Sequence, residues 1–518
     1  MLAVCLVMAG MQIVLATRQC LWADEIFSLA IATGHSLEQP AAAAQPQLGD
    51  FIEPDHAVPA TEFRRYLEHD NPPAHLGRVL RAVFFSDTSP PLYYILLYWW
   101  TLIFGTSDVA LRLFSVSCSV ACLPLLAGIA WRTGGSRAVL PCCVLFIFSP
   151  LAIYYSTEGR MYSLLLFLVL TTGWSSLVLQ QQGGKIGLYL LWSIASAAGF
   201  LTHYFFVFPW FAMLVFLIAQ PGKSKRRWLA GCVLVTAVTI LPWYWKVPES
   251  FTHWRVTQDW LRWRPAGFHR LHALRTEFLQ FFSGAGSGLW ADSRWLKCAA
   301  LALFAVTAAV AVRRHGWRVF SGARLLLWLW FFAACIAPFI LDFVQHTYVA
   351  NVPRYVLAAL PAAYLLAGIG IGCVSAPIRT TIVALIVLAW SVPLIHIYRQ
   401  HSRSWEPFRQ VAQEVSTDKG AGPILVHSIP SGVLGIARYA NGSANIDSWV
   451  GQLGTRRLPE SLLPIIAGQR QISLVKLHEV GEPAPEEDWL RAHGQVLEEK
   501  SLQAATTIRF APKDTATF

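Results

Sequence analysis

Apolar runs long enough to cross a lipid bilayer recur from Leu2 to about residue 397 of this 518-residue chain. A backbone in hydrocarbon has no water to bond, so each such run is committed to helix. Spans are expected near 1–17, 109–130, 137–153, 161–179, 186–202, 204–219, 228–246, 295–312, 323–342, 354–374 and 378–397. That makes about eleven helices, and an odd number puts the two termini on opposite sides. Only 14% of residues are charged, against roughly 25% in soluble domains. The first run lacks a basic leading segment and a small-residue cleavage site, so it reads as a span rather than a removable signal. The expected fold is a polytopic α-helical membrane protein with a small soluble α/β domain at its C-terminus. The boundaries are 1–397 for the transmembrane module, which includes a long first outer loop (17–90), and 398–518 for the soluble domain.

Basic residues set the orientation. Arg132 and Arg137, Lys185, Lys223 to Arg227, Arg313 to Arg318, and Arg379 occupy five connections on one side, which the positive-inside rule makes cytoplasmic. Asp24-Glu25, the Glu158–Arg160 turn, His203, Arg354 and the tail then fall outside. The long segment 246–294 also falls outside despite several Arg residues. Leu271, Leu274, Phe278 and Phe282 give it the spacing of an interfacial amphipathic helix. Leu92 to Phe104 is apolar but short and follows Pro90-Pro91, which fits a helix dipping into the outer leaflet.

The net charge of +11 lies in the membrane part, because the tail from Tyr398 holds 13 basic and 13 acidic residues. A basic membrane module suits anionic lipid, whereas a neutral soluble part argues against nucleic acid. The ten cysteines show neither metal-ligand spacing nor a disulfide pattern and read as small core residues. In the tail, Trp405 to Val415 has a helical pattern. Pro423 to Val426, Arg470 to Lys476 and Ala504 to Phe510 read as strands. The Ser428–Gly432 stretch carries no phosphate-loop signature.

Ionisable residues on the outer side sit at span ends: Asp24, Glu25, Asp87, Glu158, Arg160, His203, Asp342, His346 and Arg354. An adjacent carboxylate pair leaving a membrane is costly to place and calls for a reason. Ordinary readings compete. Asp24-Glu25 could end a helix in solvent, Arg160 and Arg354 could snorkel, and His203 could cap a helix. Taken together, the group suits one polar cavity at the outer membrane surface, where a lipid-linked substrate with an anionic head could bind.

The motifs resemble those of the GT-C superfamily of polyprenyl-phosphate-sugar-dependent glycosyltransferases, in the bacterial branch similar to protein mannosyltransferases and aminoarabinose transferases. The matching elements are Leu21 to Glu25, Ser89 to Tyr94, Phe104 to Leu113, Ser149 to Tyr162, Leu201 to Phe205 and Pro353 to Leu357, in family order. The resemblance implies that Asp24 is a general base for an acceptor hydroxyl, with Glu25 orienting the loop or contacting the acceptor. It implies substrate-binding roles for Asp87, Arg160, His203, Arg354 and Tyr355, with the two Arg on the donor phosphate. It implies a polyprenyl-phosphate sugar as donor and a glycan, lipid or protein as acceptor. It names no certain cofactor and leaves room for a divalent metal. It places the chain in a bacterial cytoplasmic membrane, with the reaction and the tail outside. Ser89 stands where many members carry a His before the two prolines, and His203 where they often carry a Lys. The competing reading is a transporter or flippase of a lipid-linked or amphipathic solute. Such proteins usually place charge near the midplane between inverted repeats, and the sequence shows neither.

Overall fold

The computed structural model describes residues 2–513, apart from 88, 184, 221, 253–270, 284–293, 417–421, 451–455 and 479–483. The chain divides into two compact units. The described residues of the first lie within 2–16, 112–247, 271–283 and 294–399, and those of the second within 17–111, 248–252 and 400–513.

In the first unit every expected span is helical: Leu2–Arg18, Asp108–Gly134, Ser136–Phe148 with Pro150–Ser156, Tyr162–Gln182, Ile186–Phe200, Val207–Ala219, Arg226–Tyr244, Arg294–His315, Ala323–Gln345, Pro353–Val356 with Leu360–Gly372, and Ala376–Arg399. Six helices among the described residues are long and apolar enough to cross a membrane singly. Ser136–Phe148 and Pro150–Ser156 together form one bent span, with 61° between them. The bend has a local cause. Pro150 opens a new helix at its first position, and Ser149 Oγ caps that helix by accepting from Ala152 N–H at 3.1 Å.

Tyr162–Gln182 is buried on nearly all sides and forms the centre of the bundle. Arg226–Tyr244 instead exposes Leu234, Val235, Val238 and Leu241. A stripe of that kind is stable against lipid and not against water. Polar ends tie helices across the bundle. Trp192 Nε1 donates to Ser176 Oγ at 2.9 Å, and Trp330 Nε1 donates to the Ala358 carbonyl at 2.7 Å. A side chain at Gly368 would meet Cys142 Sγ at 2.3 Å, so a glycine is what lets Leu360–Gly372 approach Ser136–Phe148.

The basic connections gather at one end. Arg132 Nη1 donates to Gln181 Oε1 at 2.9 Å, Lys223 N–H to the Gln180 carbonyl at 3.0 Å, and Arg324 Nε to the Thr133 carbonyl at 3.1 Å. Of the long segment expected to lie at the interface, 253–270 and 284–293 fall outside the described residues. Leu271–Ser283 is a helix, and its Phe281 and Phe282 carbonyls accept from Tyr364 and Trp390.

The second unit is built on a six-stranded sheet: β1 (Val58–Pro59), β2 (Ile424–His427), β3 (Asn445–Trp449), β4 (Ile472–Leu477), β5 (Gly494–Leu502) and β6 (Ala505–Pro512). Its order is β1-β3-β2-β4-β6-β5, parallel across β3-β2-β4 and antiparallel at both edges. Leu425, Leu474, Ile508 and Phe510 form its core. The first loop contributes the edge strand β1 and a helix, Ala60–Arg64, whose Arg64 Nε donates to the Ala437 carbonyl at 2.9 Å.

One joint within this unit is electrostatic. Arg456 bridges Asp447 on β3 and Glu53 of the first loop, and all three side chains are almost fully buried. Burial pushes Glu53 up to about 7 and Asp447 up to about 6, against the opposing pull of Arg456. Both folded values exceed those of free carboxyls. The two groups therefore favour the fold at low pH, and that contribution is lost as pH rises through about 6 to 7. Arg456→Ala should destabilise this unit by about 3–5 kcal/mol near neutral pH. Thermal unfolding of the full chain should show a larger loss at pH 8 than at pH 5.5. An equal loss at both would contradict this account.

Candidate active site

In the second unit, Ala23–Ala32 begins directly after the segment that leaves the first span, with Trp22 as its N-cap. Asp24 lies on the first turn and is half-buried, and its backbone carbonyl accepts from Ser28 Oγ at 2.9 Å. Glu25 points the other way, as adjacent helix positions must. It is fully buried, and its Oε2 accepts the Trp22 N–H at 3.3 Å. Carboxylates here meet the positive end of the helix dipole.

Asp87 ends the Leu76–Ser86 helix, which packs on Ala23–Ala32 together with Leu92–Phe104. Its Oδ1 accepts the Ser89 N–H at 2.9 Å, and its Oδ2 accepts from the Tyr94 hydroxyl. These bonds shape the turn that carries Pro90-Pro91.

The first unit gathers Arg160, His203, Arg354 and Tyr355 by segment. Arg160 lies in the turn between Pro150–Ser156 and Tyr162–Gln182, and its carbonyl accepts from Ser115 Oγ at 3.3 Å. A run of ring contacts links the pieces. Tyr155 and Tyr162 lie 5.1 Å apart, Tyr162 and His203 6.3 Å, and His203 and Tyr355 6.3 Å. The Arg354 guanidinium sits 5.4 Å from the Tyr355 ring centre. Glu158 and Arg354 both lie within electrostatic reach of Tyr155.

His203 both caps and faces this cluster. Its Nδ1 accepts the Phe205 N–H at 3.2 Å. In the neutral ring that bond places the proton on Nε2, which makes Nε2 a donor. Asp342 is committed elsewhere. It accepts from Thr347 Oγ1 at 2.7 Å, Val349 N–H at 2.8 Å and Ala350 N–H at 2.9 Å. It thereby fixes the turn that leads into Pro353-Arg354. Arg112 is fully buried and donates to the Ala16 carbonyl at 3.2 Å.

Among the described residues, no group of three or more His, Cys, Asp or Glu is arranged to hold a metal ion. Sequence reasoning missed Glu406, His478, Tyr439 and Asp108, which surround the start of the Ala23–Ala32 helix. Asp108 lies inside a motif already singled out. Glu406 and His478 carry no spacing that would have marked them.

A family model described as dolichyl-phosphate-mannose-protein mannosyltransferase matches residues 88–245. The solved structure of ArnT from Cupriavidus metallidurans bound to undecaprenyl phosphate is similar with a TM-score of 0.55 at 13% identity, over 98% of this chain and 97% of that one. The same protein in the apo state gives 0.54 at 12% identity, over 93% and 95%. No curated protein sequence matches the chain. At these identities the likeness is one of fold. The chain is an integral membrane protein with the GT-C architecture that its motifs suggest, and it shares that architecture with ArnT along nearly its whole length.

Proposed function

We propose that the chain is an inverting glycosyltransferase. It moves a sugar from a polyprenyl-phosphate donor to an acceptor hydroxyl at the outer face of a bacterial cytoplasmic membrane. The observation that carries this reading is the cluster of Arg354, His203, Tyr355 and the Glu158–Arg160 turn in the apolar bundle. Cations and a ring N–H beside lipid-facing helices match a phosphate on a long hydrocarbon tail. ArnT, which has the same fold, is bound to undecaprenyl phosphate.

The chemistry needs few groups. The acceptor oxygen attacks the anomeric carbon as its proton passes to the Asp24 carboxylate. The bond from that carbon to the phosphate oxygen breaks, and its electron pair leaves with the phosphate. A phosphate departs as an anion and needs no general acid, unlike the leaving group in glycoside hydrolysis. Arg160 and Arg354 stabilise its growing charge, and His203 Nε2 adds a hydrogen bond. Glu25 holds the loop through Trp22, while Asp87 and Tyr355 line the substrate side.

Mass spectrometry of envelope glycans, lipids and proteins, with and without the chain, tests the reading. A sugar modification should vanish on deletion, and an unchanged envelope would refute it. Orientation has its own test. The basic ends belong in the cytoplasm, and the 17–90 loop and the tail from residue 398 belong outside. Reporter fusions after residues 222 and 400 should therefore show opposite compartments. If both report the same side, the orientation is wrong.

A further inference from the structure

We propose that Glu406, held by His478, is a positioning residue for the helix start that carries Asp24. This rests on the reading of Asp24 as the general base. The first N–H groups of any helix lack partners within it. In Ala23–Ala32, the Ala23 N–H donates to Glu406 Oε2 at 2.6 Å, although the two residues are far apart in sequence. Glu406 Oε1 meets His478 Nε2 at 3.0 Å, and His478 Nδ1 meets Ser428 Oγ at 2.8 Å. With a neutral ring, all three donors point one way: Ser428 hydroxyl to Nδ1, Nε2–H to Glu406, and Ala23 N–H to Glu406. A second tie lies one turn earlier, where the Leu21 N–H donates to the Tyr439 hydroxyl at 2.8 Å and that hydroxyl donates to Asp108 Oδ2 at 2.5 Å. The residues on both sides of Asp24 are thus fixed by groups from elsewhere in the unit.

Backbone strain at the relay is an independent sign. Five described non-glycine residues have positive φ, and three of them serve this relay: Ser404 at 51° and Trp405 at 65°, which directly precede Glu406, and His478 itself at 67°. Such conformations are costly and persist where surrounding contacts over-determine them. A Ser-His-Glu sequence of hydrogen bonds could also suggest a nucleophilic triad. Ser428 is fully buried, however, so no acyl donor can reach its oxygen. What remains is a brace. It sets where the Asp24 carboxylate stands, and an ångström of misplacement in such a group is costly in rate.

The test uses the full-length protein in detergent. In Glu406→Ala, hydrogen exchange of peptides spanning residues 18–28 should speed up at least 10-fold. Transfer should fall at least 10-fold, with affinity for the probe undecaprenyl phosphate unchanged. Glu406→Gln keeps an acceptor for the Ala23 N–H and should recover most of both. In an Asp24→Asn background, Glu406→Ala should lower transfer no further, because the brace acts only through Asp24. If Glu406→Ala does not fold, His478→Ala leaves the carboxylate in place and should show the same changes to a smaller degree. Unchanged exchange and transfer in the folded variants would overturn the proposal. An active Asp24→Asn would instead overturn the assignment of the base, which keeps the two failures separate.

Discussion

Asp24→Asn should lower sugar transfer by about 10²-fold or more while the protein still folds. General-base assistance contributes roughly that factor, and an amide of the same size cannot accept the proton. The side chain is half-buried on the first turn of Ala23–Ala32, where its loss removes only a favourable dipole contact of about 0.3–1 kcal/mol. Yield and thermal unfolding in detergent should therefore stay close to those of the unaltered chain. Glu25→Gln makes the contrast. Its carboxylate is buried against the Trp22 N–H, and glutamine can still accept that bond, so transfer should fall far less. Well-folded Asp24→Asn with near-normal transfer would remove Asp24 from the chemistry, and a reversed order of the two variants would move the base to Glu25.

The membrane bundle was legible because hydrocarbon leaves the backbone one economical solution, and hydropathy reports it directly. The bend at Ser149-Pro150 is also written in the sequence as a cap followed by a first-position proline. The tail was legible only where strands are continuous apolar runs, as in β2, β4 and β6. β3 was missed because its buried positions include Asp447 and Ser448, which look like loop residues until Arg456 and Glu53 are seen beside them. β5 was missed because it is an edge strand carrying Glu498, Glu499 and Lys500, charges suited to a sheet margin rather than a core. β1 is too short for any periodicity, and only its pairing with Ile446 and Asn445 makes it a strand. The same limit hid Glu406 and His478. Each is a lone polar residue, and its meaning comes from a backbone N–H in a distant segment, which no local pattern encodes.

Removing either Arg354 or Arg160 should slow turnover more than it weakens donor binding. Each is assigned to the donor phosphate, which carries more charge as the sugar bond breaks than it does in the bound donor. A hydrogen bond to a charged group contributes about 1.5–3 kcal/mol, so each alanine substitution should cost on the order of 10- to 100-fold in rate. Arg354 is the more constrained of the two. Its backbone follows the turn fixed by Asp342, and its guanidinium lies against the Tyr355 ring. Arg354→Lys keeps the charge but loses the planar fork and its stacking, so it should recover only part of the lost rate. Asp342→Asn would leave the guanidinium intact while loosening its approach, and should reproduce a weaker form of the same defect. Single-turnover transfer and undecaprenyl phosphate affinity, measured side by side, separate the outcomes. If affinity and rate fall by the same factor, the two Arg bind phosphate equally in ground and transition states. If neither changes, both are interfacial anchors and the phosphate is held elsewhere. If the purified chain moves lipid across a bilayer without transferring sugar, these cations serve transport, and the enzymatic reading falls with them.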